Sequence, residues 1–255
     1  MIGSPIVLPL TCLSSPDTTP TPSRKSTLPS VLITGASRGL GREFARQYAY
    51  AGWTVHAGVR NLHQRSAIEE LQHEQIICHQ LDVAKHDQIL SVNTELAQEP
   101  IDLLINNAGF WLGKDEHYGR CDDARWMEEF RVHMFGTMAM CESFVQQVAA
   151  SKRKLIVNIS SGNGSLTLEN GIGDYPYNTS KAGLNLITKG LAADLKQRGI
   201  TVVCFTPGFV ATDMSGPDAD LTPHESVSAM RAIIDTLGPE QTGTFLRYNG
   251  ETVPW

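Results

Sequence analysis

The stretch VLITGASRGLGREFA, residues 31–45, joins the end of a short apolar run to the start of an amphipathic one. Gly35, Gly39 and Gly41 stand at the junction with the spacing Gly-x-x-x-Gly-x-Gly. Glycines allow a tight turn and a close backbone approach, and the helix that follows offers unpaired amides to a pyrophosphate. A glycine-rich strand–helix turn without any ligand is the alternative. The position of the turn at the first strand–helix junction favours the anion site.

From this turn onward, short runs rich in β-branched residues alternate with helical patterns. The runs predicted to be strands are VLIT (31–34), WTVHAGV (53–59), QIICHQL (75–81), DLLIN (102–106), KLIVNIS (154–160), ITVVCFT (200–206) and TGTFLRY (242–248). Most of them do not alternate between apolar and polar residues, as expected of parallel strands that are covered on both faces. The fold class is therefore predicted to be α/β. Residues 30–255 should form a single Rossmann-type, doubly wound parallel sheet of about seven strands, with helices on both faces.

Helical patterns fill the intervals between these strands. They are predicted over Gly39 to Ala51, about Lys85 to Gln98, Asp122 to about Ala150, and Pro176 to Arg198. Gly52 and Gly199 come next after two of these patterns, where a left-handed cap is needed. Thr222 and Glu225, with proline between them, predict a capping box that opens a further helix.

Composition limits the kinds of partner. A net charge of −6 over 255 residues argues against nucleic acid or an anionic membrane as the main partner. The apolar runs are too short to span a bilayer. The five cysteines are widely spaced and form no Cys-x-x-Cys pair, which favours reduced thiols in a cytoplasmic compartment over a disulfide framework or a metal site. We expect a small-molecule partner, and the oligomeric state is left open between a monomer and a homo-oligomer.

Residues 1–29 differ from the rest of the chain. They hold six prolines and ten serines or threonines, and no aromatic residue. Such a segment buries too little surface to offset its chain entropy, so it is predicted to be a disordered N-terminal extension. A Ser/Thr-rich transit peptide is the alternative interpretation.

Four motifs occur in a characteristic order. They are TGASRGLG at 34–41, NNAG at 106–109, Tyr177-x-x-x-Lys181, and Pro207-Gly208. Together they resemble the short-chain dehydrogenase/reductase family, over about Val31 to Trp255. The run YPYNTSKAGLN and the C-terminal YNGETVPW look like the carbonyl-reductase-like branch that includes sniffer and the C-factor proteins.

The second predicted strand ends at Val59 and is followed by Arg60, where an acidic residue would bind a ribose 2′-hydroxyl. Arg60 and Arg38 could instead hold a 2′-phosphate, although solvated surface arginines are the alternative. The resemblance implies NADP(H) as cofactor. It implies that the cofactor is bound by Gly35, Ser37, Arg38, Gly39, Leu40, Gly41, Arg60, Asp82, Val83, Asn107, Gly109, Tyr177, Lys181, Pro207, Gly208, Val210 and Thr212. For Asp82, a helix N-cap is the alternative role.

Tyr177 and Lys181 are four residues apart, so they share one face of a predicted helix. A lysine ammonium beside a phenol favours the phenolate, which predicts a lowered pKa for Tyr177. Such a tyrosine can protonate a carbonyl oxygen while a hydride reaches the carbon. The resemblance implies that Ser161 polarises that carbonyl, whereas Ser160 packs at the end of the strand. Tyr175 points from another face of the helix and is predicted to line the substrate cleft.

His133 is a departure from the family pattern. It stands where the family usually has an asparagine that holds a water between the lysine and solvent. Either the imidazole replaces the asparagine in holding that water, or the position has become a packing site. We take the first alternative as the prediction, which places His133 with the catalytic residues.

The activity implied by these residues is NADPH-dependent reduction of a ketone or aldehyde, reversible as alcohol oxidation. A 3-oxoacyl thioester reductase is the second enzymatic interpretation. A catalytically silent protein that senses NADP(H) or acts in signalling is the alternative of another class. The presence of Ser161, Tyr177 and Lys181 together favours turnover.

Overall fold

Seven parallel strands form one sheet in the computed structural model, which describes residues 28–62, 73–112, 117–168 and 173–255. The strands are β1 (Ser30–Thr34), β2 (Thr54–Val59), β3 (Ile76–Gln80), β4 (Leu103–Asn106), β5 (Leu155–Ile159), β6 (Thr201–Thr206) and β7 (Phe245–Arg247). Their order is β3-β2-β1-β4-β5-β6-β7, and each neighbouring pair is parallel. The predicted fold class is confirmed. The predicted N-terminal extension lies outside the described residues, except for its last two positions.

Helices cover both faces of this sheet. They are α1 (Gly39–Tyr50), α2 (His86–Glu95), α3 (Asp123–Phe130), α4 (Thr137–Ala150), α5 (Tyr175–Asp194) and α6 (Pro223–Ile234). Phe44 of α1 and Met230 of α6 are buried in a core on one face. Phe144 of α4 and Leu191 of α5 are buried in a second core on the other face. Burial on both faces explains why the strand sequences do not alternate. Each helix in the described part of the chain is too short or too polar to cross a membrane.

The predicted helix from Asp122 to Ala150 is helical throughout, but its hydrogen-bond pattern changes in the middle. Asp122 caps α3, since its side chain accepts hydrogen bonds from two amides of the first turn. A π-helical turn over Arg131–Gly136 then separates α3 from α4. Such turns insert one extra residue and often lie at functional sites. Hydrophobic periodicity could not reveal this insertion, because one extra residue barely disturbs the pattern.

The other helix ends agree with their predictions to within a few residues. Gly52 follows α1 with φ of 82°, and Gly199 has φ of 69°. Helix α5 ends at Asp194, and a 3₁₀ turn over Lys196–Arg198 completes the predicted segment up to Gly199. Both glycines have the left-handed conformation that ends a helix.

Thr222 caps α6 as predicted. Its hydroxyl accepts a hydrogen bond from the Glu225 amide, and the Glu225 carboxylate accepts one from the Thr222 amide. We expect Thr222→Ala to cost about 1 kcal/mol of stability, because the Glu225 amide loses its partner. Thermal denaturation should show a melting temperature about 2–4 °C lower. Thr222→Ser keeps the hydroxyl and should match the wild type; equal loss in both variants would contradict the capping role.

Candidate active site

One cleft runs along the carboxyl ends of the strands, where a doubly wound sheet binds its ligands. It has a volume of about 490 Å³. Every residue predicted to bind the cofactor lines this cleft, from Gly35 to Thr212 along the chain, and so does Ser161. His133 does not line it. The structure therefore brings together a set of residues that lie up to 177 positions apart along the chain.

The glycine turn is packed tightly enough to form a cradle. A Cβ atom at Gly41 would lie 2.3 Å from the carbonyl oxygen of Gly35 and 2.5 Å from Asn107 Nδ2. Gly35 and Gly39 have φ of 68° and 54°, a conformation that side chains disfavour. The N-cap residue of α1, Arg38, makes no side-chain capping bond within the described residues. The first-turn amides of α1 are thus available to an anion in the cleft.

Asn107 and Thr34 join this turn to the end of β4. Asn107 Nδ2 donates to the carbonyl oxygens of Thr34 and Gly35, at 2.9 and 3.3 Å. In return, the Thr34 hydroxyl accepts from the amides of Asn107 and Ala108, both at 3.0 Å. Sequence analysis missed Thr34, although its place before the turn in TGASRGLG was a visible signal. The side-chain amide of Asn107 is thus hydrogen-bonded to the turn, and Asn107 contributes to the shape of the cradle.

Two arginines lie at the same end of the cleft. Arg60 is exposed and follows β2 directly. Arg38 is also exposed, and its Nη1 lies 3.2 Å from Oδ2 of Asp213, on the loop after β6. An exposed pair of this kind contributes little to stability. Arg38 can therefore exchange this carboxylate for another anion at small cost.

Asp82 belongs to the cleft wall. Its Oδ1 accepts a hydrogen bond from the Ala84 amide at 3.0 Å. Helix α2 begins later, at His86, and its N-cap residue is Lys85. The N-cap alternative for Asp82 is therefore wrong, because the chain turns for three more residues before the helix starts.

Lys181 and Tyr177 meet at the other end of the cleft, as their spacing predicts. Lys181 is buried, and its Nζ donates to the carbonyl oxygen of Ile159 at 3.2 Å. The same Nζ lies 5.6 Å from the centre of the Tyr177 ring. Burial lowers the pKa of Lys181 to about 8. The ammonium remains the major form at neutral pH.

The pKa of Tyr177 differs from its prediction. Burial raises this pKa to about 12, and a hydrogen bond with Ser161 opposes the rise only in part. The expected lowering of this pKa is wrong, because the removal of solvent from the phenol is the largest influence and raises the pKa. Tyr177 is consequently a neutral phenol at neutral pH, the form that can donate a proton.

His133 lies behind this pair, in the π-helical turn. Its Nε2 accepts from the Phe110 amide at 3.2 Å, and its Nδ1 lies 2.8 Å from the Ser180 hydroxyl. The imidazole contacts the Tyr177 ring edge-on, with 5.7 Å between ring centres. Burial and the nearby Lys181 charge hold the pKa of His133 well below its usual range. Both ring nitrogens are bonded to protein groups, so the geometry favours the packing alternative over a water-holding role.

Tyr175 was predicted to line the substrate cleft, but it lines a neighbouring cavity of about 320 Å³. Two positions along a helix turn a side chain by about 200°, so Tyr175 and Tyr177 face different cavities. Four further residues that sequence analysis did not single out also line the cleft. They are Phe110, Trp111, Phe209 and Met214. Phe110 and Trp111 follow NNAG directly, and Phe209 follows Pro207-Gly208, so adjacency to a motif was the available signal.

A parallel sheet with a glycine turn after β1 and a Ser–Tyr–Lys group beside the same cleft defines an oxidoreductase of the short-chain type. The profile of the short chain dehydrogenase family matches residues 29–221, and the chain belongs to that family. This family membership confirms the resemblance of the four motifs.

Similar proteins include members of the expected branch and also 3-oxoacyl-[acyl-carrier-protein] reductases. C-signal of Myxococcus xanthus is 34% identical over 165 residues, which cover 64% of this chain and 97% of that protein. The structure of carbonyl reductase Sniffer of D. melanogaster has a TM-score of 0.81 at 26% identity, with 89% of this chain and 100% of that one covered. NADPH-bound carbonyl reductase from chicken fatty liver has a TM-score of 0.80 at 26% identity, with 89% and 99% covered.

The close approach at Gly41 yields a test of the cradle. We expect Gly41→Ala to destabilise the protein by about 1–3 kcal/mol, because its Cβ has no space beside the Gly35 carbonyl. Gly190 is the matched control, since it also lies in a helix but has no atom within 4 Å of its Cβ position. Gly190→Ala should stabilise by about 0.5–1 kcal/mol. Urea unfolding measures both, and a tolerated Gly41→Ala would show that the turn can relax.

Proposed function

We propose that the protein is an NADPH-dependent reductase of ketones or aldehydes, which also runs in reverse as an alcohol dehydrogenase. The observation that carries this proposal is the set of residues that line one cleft. One end offers two arginines and the unpaired amides of α1. The other end holds Ser161, Tyr177 and Lys181, with an aromatic wall beside them.

The residues of the cleft fit a dinucleotide with a 2′-phosphate. The cradle at Gly41 allows a pyrophosphate to approach the N-terminus of α1. Arg60 follows β2 where an acidic residue would repel that phosphate. The Arg38 guanidinium already binds an anionic group, the Asp213 carboxylate, at the end of the cleft where Arg60 lies. The related chicken enzyme, whose structure contains NADPH, supports the same choice.

Tyr177 acts as the general acid in this mechanism. Burial keeps its phenol protonated at neutral pH, so the hydroxyl can donate a proton to the carbonyl oxygen of the substrate. When bound, the reduced nicotinamide supplies a hydride for the carbonyl carbon. In the reverse direction the same phenolate takes the proton from the alcohol.

Ser161 and Lys181 prepare this proton transfer. The Ser161 hydroxyl can donate to the carbonyl oxygen and so polarise the bond that is reduced. The Lys181 ammonium stabilises negative charge that develops on Tyr177 after the proton has left, since it lies 5.6 Å from the ring centre. The burial of Lys181 strengthens this effect, because little water screens the charge.

The two alternative functions fit the cleft less well. A 3-oxoacyl carrier substrate calls for cationic side chains at the mouth, but Arg38 is assigned to the cofactor phosphate and Arg247 is paired with Glu251. A silent sensor or signalling protein would not need Ser161, Tyr177 and Lys181 in one cleft. The signalling alternative is supported by the name of one relative, C-signal of Myxococcus xanthus.

The proposal is tested with a panel of aliphatic and aromatic ketones and aldehydes and a 3-oxoacyl thioester, each with NADPH and with NADH. Oxidation of the cofactor is followed by its absorbance or fluorescence. We expect turnover of simple carbonyls with NADPH. Preference for the thioester would assign the second enzymatic function, and tight NADPH binding without any turnover would assign the sensor.

The choice of cofactor depends on Arg60 in this proposal. Loss of one charge-assisted hydrogen bond costs about 1.5–3 kcal/mol, so Arg60→Ala should weaken NADPH binding about tenfold to a hundredfold. NADH affinity should change little, as measured by fluorescence titration. Arg42→Ala is the control, because Arg42 is exposed on α1 but does not line the cleft. Equal losses for both cofactors would mean that Arg60 supports the fold rather than the phosphate.

The role of Tyr177 is tested by removing one oxygen. Tyr177→Phe should lower kcat by about 10²- to 10⁴-fold, the usual contribution of general acid catalysis, while NADPH binding stays near normal. Tyr175→Phe removes the same atom in the neighbouring cavity and should remain active. A Tyr177→Phe enzyme with a near-normal rate would refute the mechanism.

A further inference from the structure

Three polar side chains at intervals of four residues face the chain segment that leaves β4. They are Arg125 and Glu129 of α3 and His133 of the π-helical turn. The segment is Phe110–Leu112, and the side chains of Phe110 and Trp111 line the cleft near Tyr177. The position of this segment therefore decides the shape of the substrate end.

These side chains match the main-chain groups that they face. The Phe110 amide donates to His133 Nε2 at 3.2 Å, and the Leu112 amide donates to Glu129 Oε1 at 3.0 Å. Arg125 Nη2 donates to the Leu112 carbonyl oxygen. Two acceptors and one donor thus bind two amides and one carbonyl. The segment is thus attached to α3 and to the π-helical turn by side-chain hydrogen bonds.

Glu129 is the least expected member of this row. Its residue is 1% exposed, and Oε2 has no hydrogen-bond partner within the described part of the chain. An apolar side chain of similar size would avoid the cost of burying that oxygen. A buried carboxyl that is retained at such a cost beside an active site indicates a functional role.

The charged groups around Glu129 come from several elements. The pKa of Glu129 is raised to about 7, mainly by burial; the bond to the Leu112 amide opposes the rise, and Asp174 before α5 adds to it. Lys181 and Arg125 also lower it. Glu129 in turn raises the pKa of Tyr177, which places the carboxyl within electrostatic range of the proton donor.

We propose that Glu129 is a positioning residue for the reduction, which fixes the Phe110–Leu112 main chain and thereby the aromatic wall that orients the substrate beside Tyr177. This inference rests on the proposed reductase function, since it concerns the substrate end of the same cleft. Glu129 binds the wall through Leu112 and does not itself line the cleft.

The test compares Glu129→Leu, which loses the acceptor, with Glu129→Gln, which keeps an acceptor oxygen and loses the charge. Glu129→Leu should raise KM for an aromatic ketone about tenfold, with kcat changed less than about threefold and the Kd for NADPH unchanged. Glu129→Gln should keep a KM near that of the wild type. Glu128→Leu, at the exposed neighbouring position of α3, is the control and should have no effect.

Amide hydrogen exchange gives a readout that does not need activity. The Leu112 amide should be protected in the wild type and in Glu129→Gln, and should exchange faster in Glu129→Leu. Arg125→Met, which leaves Glu129 in place but removes the bond to the Leu112 carbonyl, should produce a smaller increase. If Glu129→Leu does not fold, Arg125→Met takes its place in the exchange measurement. If the wild type reduces no carbonyl, the proposed function fails, while the exchange result still tests the attachment of the segment.

Stability adds a test of the buried carboxyl. A folded pKa raised to about 7 means that the contribution of Glu129 to stability is fully present below its unfolded pKa and is lost as pH rises through 7. Glu129→Gln should therefore unfold at a higher temperature than the wild type at pH 8, but not at pH 4.

Three results would overturn the proposal. The first is an unchanged KM and unchanged exchange in Glu129→Leu, with only a lower melting temperature, which would leave Glu129 a packing residue. The second is equal damage in Glu129→Gln and Glu129→Leu, which would make the charge rather than the hydrogen bond responsible. The third is a melting-temperature difference that is the same at pH 4 and pH 8, which would mean that the carboxyl is not held in a buried site.

Discussion

The main chain of α1 passes so close to the turn after β1 that only a hydrogen atom fits at position 41. A side chain there would meet the Gly35 carbonyl at 2.3 Å. The cleft depends on this contact, because it brings the first turn of α1 to the carboxyl ends of the strands. Asn107 and Thr34 then join the same turn to β4 by four hydrogen bonds. The two halves of the cleft are thereby held in one geometry.

The π-helical turn between α3 and α4 sets the position of the other half. It holds His133 against the edge of the Tyr177 ring and the Phe110 amide. Gly136, at the end of the turn, lies so close to Val83 that a Cβ at position 136 would be 2.9 Å from the Val83 carbonyl oxygen. The π-helical turn therefore packs against Val83 of the cleft wall through Gly136, and against the Tyr177 ring through His133.

Burial governs the protonation states at this end of the cleft. It raises the pKa of Tyr177 to about 12 and that of Glu129 to about 7, and it lowers the pKa of Lys181 to about 8. Each shift favours the neutral form, as removal from water requires. A raised pKa makes the Tyr177 phenol a weaker acid, so proton donation from it would depend on a positive charge that stabilises the phenolate. Lys181 can still offer a positive charge at neutral pH.

The sequence by itself determined the fold class, the strands and the lining residues that belong to the four motifs. Unbroken β-branched runs, glycines at helix ends and four ordered motifs are local signals, and each reflects a requirement of the backbone at its own position. The cradle at Gly41 and the Tyr177–Lys181 spacing belong to this group. Only the tertiary structure decided the π-helical turn, the pKa of Tyr177, the separate cavity of Tyr175 and the bonds of His133 and Glu129. These features depend on how far solvent is removed and on which distant groups meet, such as Glu129 with the Leu112 amide. Neither quantity is encoded in the spacing of neighbouring residues, because both arise from contacts between elements that the chain brings together only when it folds.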